Sequence, residues 1–333
     1  MLRSYHHRDF PLDRLVEAKR DRRISVCLPA RNEAATVGQV VAVIRAELMG
    51  PVPLVDELVV IDDGSTDGTA DAARAAGAGV MVAAEISPPA IGPAGPVGPA
   101  GPGGKGQAMW KAVHVTTGDL VVFCDADVRG FAGHFVTGLL GPLLLRDDTM
   151  LVKGFYDRPL DGRPGEGGRV TELVARPLIA ALFPHLAALA QPLAGECAAR
   201  REVLEQVPFV DGYGVDLGLV IDVAARWGVA ALAQCDLGER IHRNRPLAEL
   251  GPQALAIVQV ALSRAGRAPD VPGLVPDVAG PVPDVAGPVL DVAGPVPPWQ
   301  SRLVRPGEEA VTVSLSERPP LAPDPASAER KTA

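Results

Sequence analysis

Two carboxylates one residue apart, Asp125-Ala126-Asp127, close the apolar run Val121-Val122-Phe123-Cys124. Where a buried strand ends, pleating stops and both acids can approach one ion. A hard cation such as Mg²⁺ or Mn²⁺ takes oxygen ligands and bridges to diphosphate oxygens. That neutralises the charge developing on a nucleoside diphosphate leaving group. The same pair also reads as a solvated turn with a helix N-cap. Two further acid-bearing segments end apolar runs: Pro29-Ala30-Arg31-Asn32-Glu33, and Ile61-Asp62-Asp63-Gly64-Ser65-Thr66-Asp67. Each places acids and small residues where a nucleobase and ribose could be hydrogen-bonded, and each is also ordinary turn chemistry. Lys105 follows a glycine-rich approach and opens a helical pattern. There its ammonium and the helix N-terminus suit a phosphate, or it is a surface lysine beside a loop.

The elements that must position these groups alternate. Apolar runs at 24–30, 57–61, 79–84 and 119–124 predict strands, and the patterns at 34–49 and 105–117 predict helices. Between them, residues 65–69 supply N-cap side chains for a helix running to Ala76. Continuous apolar strands separated by helices imply an α/β fold with a mostly parallel, Rossmann-like sheet flanked by helices. Ligands of such sheets sit beyond the carboxyl ends of the strands, where the polar motifs fall. The predicted division is an arm over 1–20, a nucleotide-binding half over 21–150 and a more helical half over 151–265. In the second half helices are expected at 171–189, 215–227 and 246–264, with a strand at 230–235, capping the sheet and forming the acceptor side of a cleft. A Gly/Pro loop at 92–104 is an insert too short in register for a collagen helix. From Asp270 a seven-residue repeat opens on Asp277, Asp284 and Asp291; its Pro and Gly forbid a coiled coil and predict an extended linker within 266–333. Residues 319–333 are expected to be disordered.

Composition narrows the function classes. The chain has 333 residues, 47% of them hydrophobic, and a formal net charge of −8, which argues against coating nucleic acid or anionic membrane. Cys27, Cys124, Cys197 and Cys235 are widely spaced, as free thiols in a reducing compartment would be. The N-terminus is too polar for a signal peptide, and the charge-free stretch 177–195 is broken by Pro184 and Pro192, so it reads as a buried helix and loop rather than a membrane span. A cytoplasmic location follows as the expectation.

Taken in order, Pro29-Ala30 with Asn32-Glu33, then 60–67, then Gly104-Lys105-Gly106, then Asp125-Ala126-Asp127 resemble a GT-A glycosyltransferase. The strings 152–156, 167–178, 191–196, 212–216 and 237–247 resemble one family, the actinobacterial glucosyl-3-phosphoglycerate synthases, with a short echo at 314–320. The resemblance spans about residues 20–265. It implies UDP-glucose as donor, held by Pro29, Ala30, Glu33, Asp62, Ser65, Lys105, Asp125, Ala126, Tyr213, Asp216 and Arg240. Lys105 would face the diphosphate, Asp127 and His242 would ligate Mg²⁺ or Mn²⁺, and Asp216 would contact the glucose hydroxyls. Asp127, Lys105 and Asp216 would carry catalysis. Asp216 stands where the family has Glu, so this chain carries the shorter acid.

The acceptor so implied is 3-phosphoglycerate. Gly168, Arg169 and Thr171 lie at a predicted helix start, where free N–H groups, a guanidinium and a hydroxyl suit a phosphate, and Asn244 could complete the pocket. The resemblance further implies a homodimer, retention of anomeric configuration, and a first step toward glucosylglycerate and methylglucose polysaccharides. No second acid demands a nucleophile role, so a front-face path is favoured; a trapped glycosyl adduct on Asp216 or Glu196 would overturn it. Rival readings keep the fold but use another nucleotide sugar or a lipid or polysaccharide acceptor, release pyrophosphate as a nucleotidyltransferase, or only bind.

Overall fold

The computed structural model describes residues 1–50, 52–87, 103–159, 167–241, 246–266, 299–303 and 311–322. Its main sheet runs in the order β1 (Arg3–His6), β9 (Leu232–Glu239), β6 (Leu151–Asp157), β7 (Cys197–Arg200), β5 (Leu120–Phe123), β2 (Ile24–Ala30), β3 (Glu57–Asp62), β4 (Gly79–Val82). Every pairing is parallel except those of β7 with β5 and β6. Apolar side chains on both faces of the strands produce this. Along β2, Val26 and Leu28 enter one core and Cys27 the other, and in β5 Val122 opposes Val121 and Phe123. One face is covered by α1 (Leu12–Lys19), α2 (Val37–Ile44), α3 (Thr69–Ala75) and α5 (His134–Leu145). The other is covered by α4 (Lys105–Val115), α6 (Arg176–Leu182), α7 (Arg201–Leu204), α8 (Val215–Trp227) and α9 (Leu247–Ala265). This is the expected α/β, GT-A architecture.

Several local expectations change. The second half does more than cap the sheet: β6, β7 and β9 complete it, because their apolar runs are as fully buried as those of the first half. The helix expected at 171–189 is a π turn at Thr171–Ala175, then α6, then a 3-10 turn at Pro184–Leu186, since Pro184 cannot continue the ladder. α3 starts behind Gly68 (φ +84), within the expected capping stretch but with no side-chain cap from the N-cap residue. Instead Asp67 accepts from Thr69 N at 3.1 Å and from Ala34 N at 3.1 Å, tying the first two strand-end turns together. Residues 319–322, expected to be disordered, pack on the body: Pro319 O accepts from Trp110 Nε1 at 2.9 Å, and Ala322 N donates to Glu205 O at 2.8 Å. The Gly/Pro loop up to residue 102 and the seven-residue repeats lie outside the described residues. All four cysteines are free and buried, and no helix among the described residues is long and apolar enough to cross a membrane.

The N-terminal arm pairs as β1 along β9, the strand that delivers Arg240. Behind this edge, His6, His7 and His134 stack at centroid distances of 4.4 and 4.3 Å. Burial first, and then the neighbouring His134 and His6, lower the His7 pKa from 6.5 to about 4. Between those values the unfolded chain binds a proton that the folded chain excludes. His7 therefore favours folding fully above pH 6.5, and that contribution falls away as pH drops toward 4. Denaturant midpoints at pH 7.5 and 4.5 are expected to diverge less in His7→Gln than in the parent chain; equal divergence would remove His7 as the cause.

Candidate active site

The strand ends of β2, β3 and β5 open on a cleft of about 680 Å³. β5 ends at Phe123, and the chain then presents Asp125, Ala126 and Asp127, with Ala126 O accepting from Thr36 Oγ1 at 2.7 Å. Lys105, the first residue of α4, places its ammonium 2.9 Å from Asp125 Oδ1 and donates to Asp216 Oδ2 at 3.0 Å. Arg240, just beyond β9, donates from Nη2 to Asp125 Oδ2 and to Asp127 Oδ1, both at 2.8 Å. Burial opposes charge on Asp125, but Lys105 and Arg240 prevail and hold its carboxyl below the usual carboxylate range. Burial likewise opposes charge on Lys105, and the pairing with Asp125 and Asp216 more than offsets it, raising that ammonium's pKa well above its ordinary value.

Asp216 lies in the first turn of α8 and is 6% exposed. Its second oxygen accepts from Lys153 Nζ at 3.0 Å; that ammonium is itself 3% exposed and also donates to Ala194 O. Two ammonium groups thus fix both carboxylate oxygens, yet each oxygen keeps lone-pair capacity for a ligand hydroxyl. Asp127 is more open, 30% exposed, and carries only the Arg240 bond among the described residues. Its oxygens suit a hard divalent cation. No group of three or more His, Cys, Asp or Glu side chains is placed to hold a metal ion by itself among the described residues. A cation here would complete its shell from the diphosphate and water, which is the habit of Mg²⁺.

A second layer holds the first. Glu196 is fully buried; it accepts from Tyr156 Oη at 2.5 Å and lies 3.4 Å from Arg240 Nε. The Tyr156 carbonyl in turn accepts from Gln191 Nε2 at 2.6 Å. The Asp125 carboxylate can reach its partners because residue 195 is glycine: a Cβ there would fall on that carboxylate, well inside van der Waals contact. Gly195→Ala is expected to reduce kcat by about 100-fold, the scale of an ångström-sized misplacement at a reacting centre. Unchanged turnover would show that the Asp125 position is not critical.

Of the predicted donor-site residues, Pro29, Ala30, Glu33, Lys105, Asp125, Ala126, Tyr213, Asp216 and Arg240 line the cleft. Asp127 lines it as well, as do Gly168, Arg169 and Thr171 of the predicted acceptor site. Asp62 and Ser65 do not line it. Asp62 accepts from Ser65 N at 3.1 Å, and Ser65 Oγ accepts from Asn32 N at 3.0 Å, so the pair braces the turns after β2 and β3. The acid of that strand end that reaches the cleft is Asp63. His242 and Asn244 lie outside the described residues, although Arg129 N donates to Ile241 O at 3.0 Å directly before His242. Sequence reading passed over Lys153, Tyr156 and Arg158. The available signal was positional: all three sit in or just after an apolar strand, where an ionisable side chain needs a partner.

The Gly212-Tyr213-Gly214 turn before α8 is held from far along the chain. β12 (Glu317–Arg318) pairs antiparallel with β8 (Phe209–Val210), and a hairpin of β10 (Trp299–Leu303) and β11 (Val311–Leu315) precedes it. Asp211 accepts from Arg318 Nε at 2.9 Å and from Ser316 Oγ at 2.7 Å, and its own N–H donates to Ser316 O at 2.9 Å. Tyr213 and Asp216 are therefore placed by residues a hundred positions downstream.

Residues 25–84 match the family model described as Glycosyl transferase family 2. The chain is 47% identical over 267 residues to glucosyl-3-phosphoglycerate synthase of Mycolicibacterium smegmatis, covering 79% of this chain and 84% of that protein. It is 42% identical over 269 residues to the Petrotoga mobilis enzyme of the same name, covering 79% and 80%. Its structure is similar to that of Mycobacterium tuberculosis glucosyl-3-phosphoglycerate synthase in complex with Mn²⁺, UDP-glucose and phosphoglyceric acid, with a TM-score of 0.77 at 41% identity over 96% of this chain and 98% of that one. A second structure of that enzyme, with Mn²⁺, UDP and glucosyl-3-phosphoglycerate, gives 0.74 at 41% identity, over 96% of this chain and 99% of that one. With this similarity along most of its length and an acidic, cation-braced cleft at the strand ends, the chain is a glycosyltransferase and belongs to the glucosyl-3-phosphoglycerate synthase family.

Proposed function

We propose that the chain transfers glucose from UDP-glucose to the 2-hydroxyl of 3-phosphoglycerate with retention, using Mg²⁺ or Mn²⁺, as a cytoplasmic homodimer. One observation carries the reading: Asp125 and Asp127 meet Lys105 and Arg240 at the strand ends, in a cleft that Gly168–Thr171 also line. Bound at Asp127, a hard divalent cation neutralises charge on the departing diphosphate. Lys105 binds that diphosphate, exchanging its carboxylate partners for phosphate oxygens. Asp216, held by Lys153, accepts hydrogen bonds from the glucose hydroxyls and fixes the sugar's orientation. Arg169, Thr171 and the N–H groups near Gly168 take the acceptor phosphate. The Arg129–Ile241 bridge supports a metal role for His242, since it draws the preceding backbone alongside the Asp127 loop. No carboxylate is assigned a nucleophile role; Glu196 is committed to Tyr156 and Arg240, which favours the front-face path. Exposed Leu173, Leu247 and Leu262 support an apolar subunit interface.

A panel of UDP- and GDP-linked glucose and mannose, assayed with 3-phosphoglycerate and Mg²⁺, tests this. The expected result is UDP release with UDP-glucose and an α-configured product by NMR coupling. Pyrophosphate release, or turnover only with a polyprenyl phosphate acceptor, would overturn it. Sedimentation at micromolar concentration checks the dimer.

A further inference from the structure

The acceptor in the proposed reaction carries two anionic groups, and the wall at Gly168–Thr171 accounts for its phosphate alone. Resting on that reading, we propose that Arg158 binds the acceptor's carboxylate. Arg158 follows β6 directly and lines the cleft. Its Nη2 donates to Tyr156 Oη at 2.7 Å, and its guanidinium lies 4.7 Å from the centroid of that ring. Tyr156 is anchored in turn on Glu196, so the guanidinium is held in place before any ligand arrives.

What distinguishes Arg158 is that no anion among the described residues is its own. Arg240, beside the same ring, is shared among Asp125, Asp127 and Glu196. Arg158 pairs with no carboxylate among the described residues, and its Nε is buried without a hydrogen-bond partner. A half-buried cation with an orphaned donor is costly unless something anionic completes it. The neighbourhood says which anion. Arg158 O accepts from Gly167 N at 2.9 Å, and its Cδ lies 3.7 Å from where a Cβ on Gly168 would stand. Arg158 therefore abuts the wall assigned to the acceptor phosphate, on the side that leads to Tyr156 and the donor carboxylates. A three-carbon acid phosphate bound by that wall directs its other end at this guanidinium, with the reacting hydroxyl between the two. The planar fork of Arg matches a carboxylate better than the point charge of Lys does.

The test compares two ligands that share the phosphate and differ in the carboxylate, 3-phosphoglycerate and sn-glycerol 3-phosphate, by calorimetry in the presence of UDP and Mg²⁺. Arg158→Met is expected to weaken 3-phosphoglycerate binding by about 10- to 100-fold, the range of a charge-assisted hydrogen bond. Glycerol phosphate and UDP affinities are expected to stay within about threefold, too small a change for a lost charged contact. Arg158→Lys keeps the charge and is expected to fall between parent and Met variant, which preserves the test if Arg158→Met fails to fold. Loss of the Tyr156 bond by itself would weaken both acceptor ligands equally. That outcome, or a matching drop in UDP affinity, overturns the assignment. Turnover of 3-phosphoglycerate by the parent chain is read separately, so failure of the proposed reaction and failure of this role are distinguishable.

Discussion

Asp127→Ala lowers kcat by about 1,000-fold in the expected outcome, because a bound metal supplies several kcal/mol of transition-state charge stabilisation and each ~1.4 kcal/mol is tenfold in rate. The reason lies in how the two acids are used. Asp125 is consumed by Lys105 and Arg240, one on each oxygen. Asp127 gives one oxygen to Arg240 and is the more exposed of the pair. Asp127→Asn keeps the Arg240 acceptor but removes the charge, and is expected to be nearly as damaging to turnover while leaving the thermal midpoint within a degree or two. UDP binding measured with and without Mn²⁺ adds a readout other than activity: the Mn²⁺-dependent gain should shrink in both variants. Unchanged turnover in Asp127→Ala would end the assignment.

Arg240→Met is expected to be the most destabilising single change in the site. The guanidinium is 3% exposed and touches three carboxylates, of which Glu196 is completely buried. Removing one partner of a buried ionic network costs about 3–5 kcal/mol, since the remaining charges lose their compensation. For a domain of this size that corresponds to roughly 10 °C in thermal midpoint. Glu196→Gln in the same chain should recover part of the loss, because the amide no longer needs a cation and still accepts from Tyr156 Oη. Additive rather than compensating effects of the two substitutions would show that Glu196 and Arg240 do not interact energetically. Turnover should remain low in the double variant, since Asp125 and Asp127 still lack their brace.

The parts of this molecule that could be read without coordinates are those in which burial is reported locally. The runs that become β2, β3 and β5 are apolar at every interior position but Ser25, a pattern that fits strands covered on both faces. Polar residues at their carboxyl ends had to face a cleft, so Asp125, Asp127 and Glu33 were found there. At Asp62 and Ser65 the side chains also serve the turns, accepting from backbone N–H groups, and the acid of that strand end that lines the cleft is Asp63. The π turn before α6 and the capping of α3 depended on single-residue effects that periodicity averages away.

The pairing of charges was beyond reach for a different reason. Arg240 meets Asp125 and Asp127 across 115 and 113 residues, Lys105 meets Asp216 across 111, and Arg318 meets Asp211 across 107. An isolated Arg or Lys in a string of residues looks the same whether it is solvated or buried against three carboxylates. Its cost or benefit depends on which strand ends the sheet order brings together, and in that order β6 lies between β7 and β9. Residue types and their periodicity therefore settle which groups can do the chemistry and at which strand ends they emerge. Which cation answers which acid is decided by the closure of the sheet, because electrostatic energies depend on distance and burial in three dimensions and not on separation along the chain.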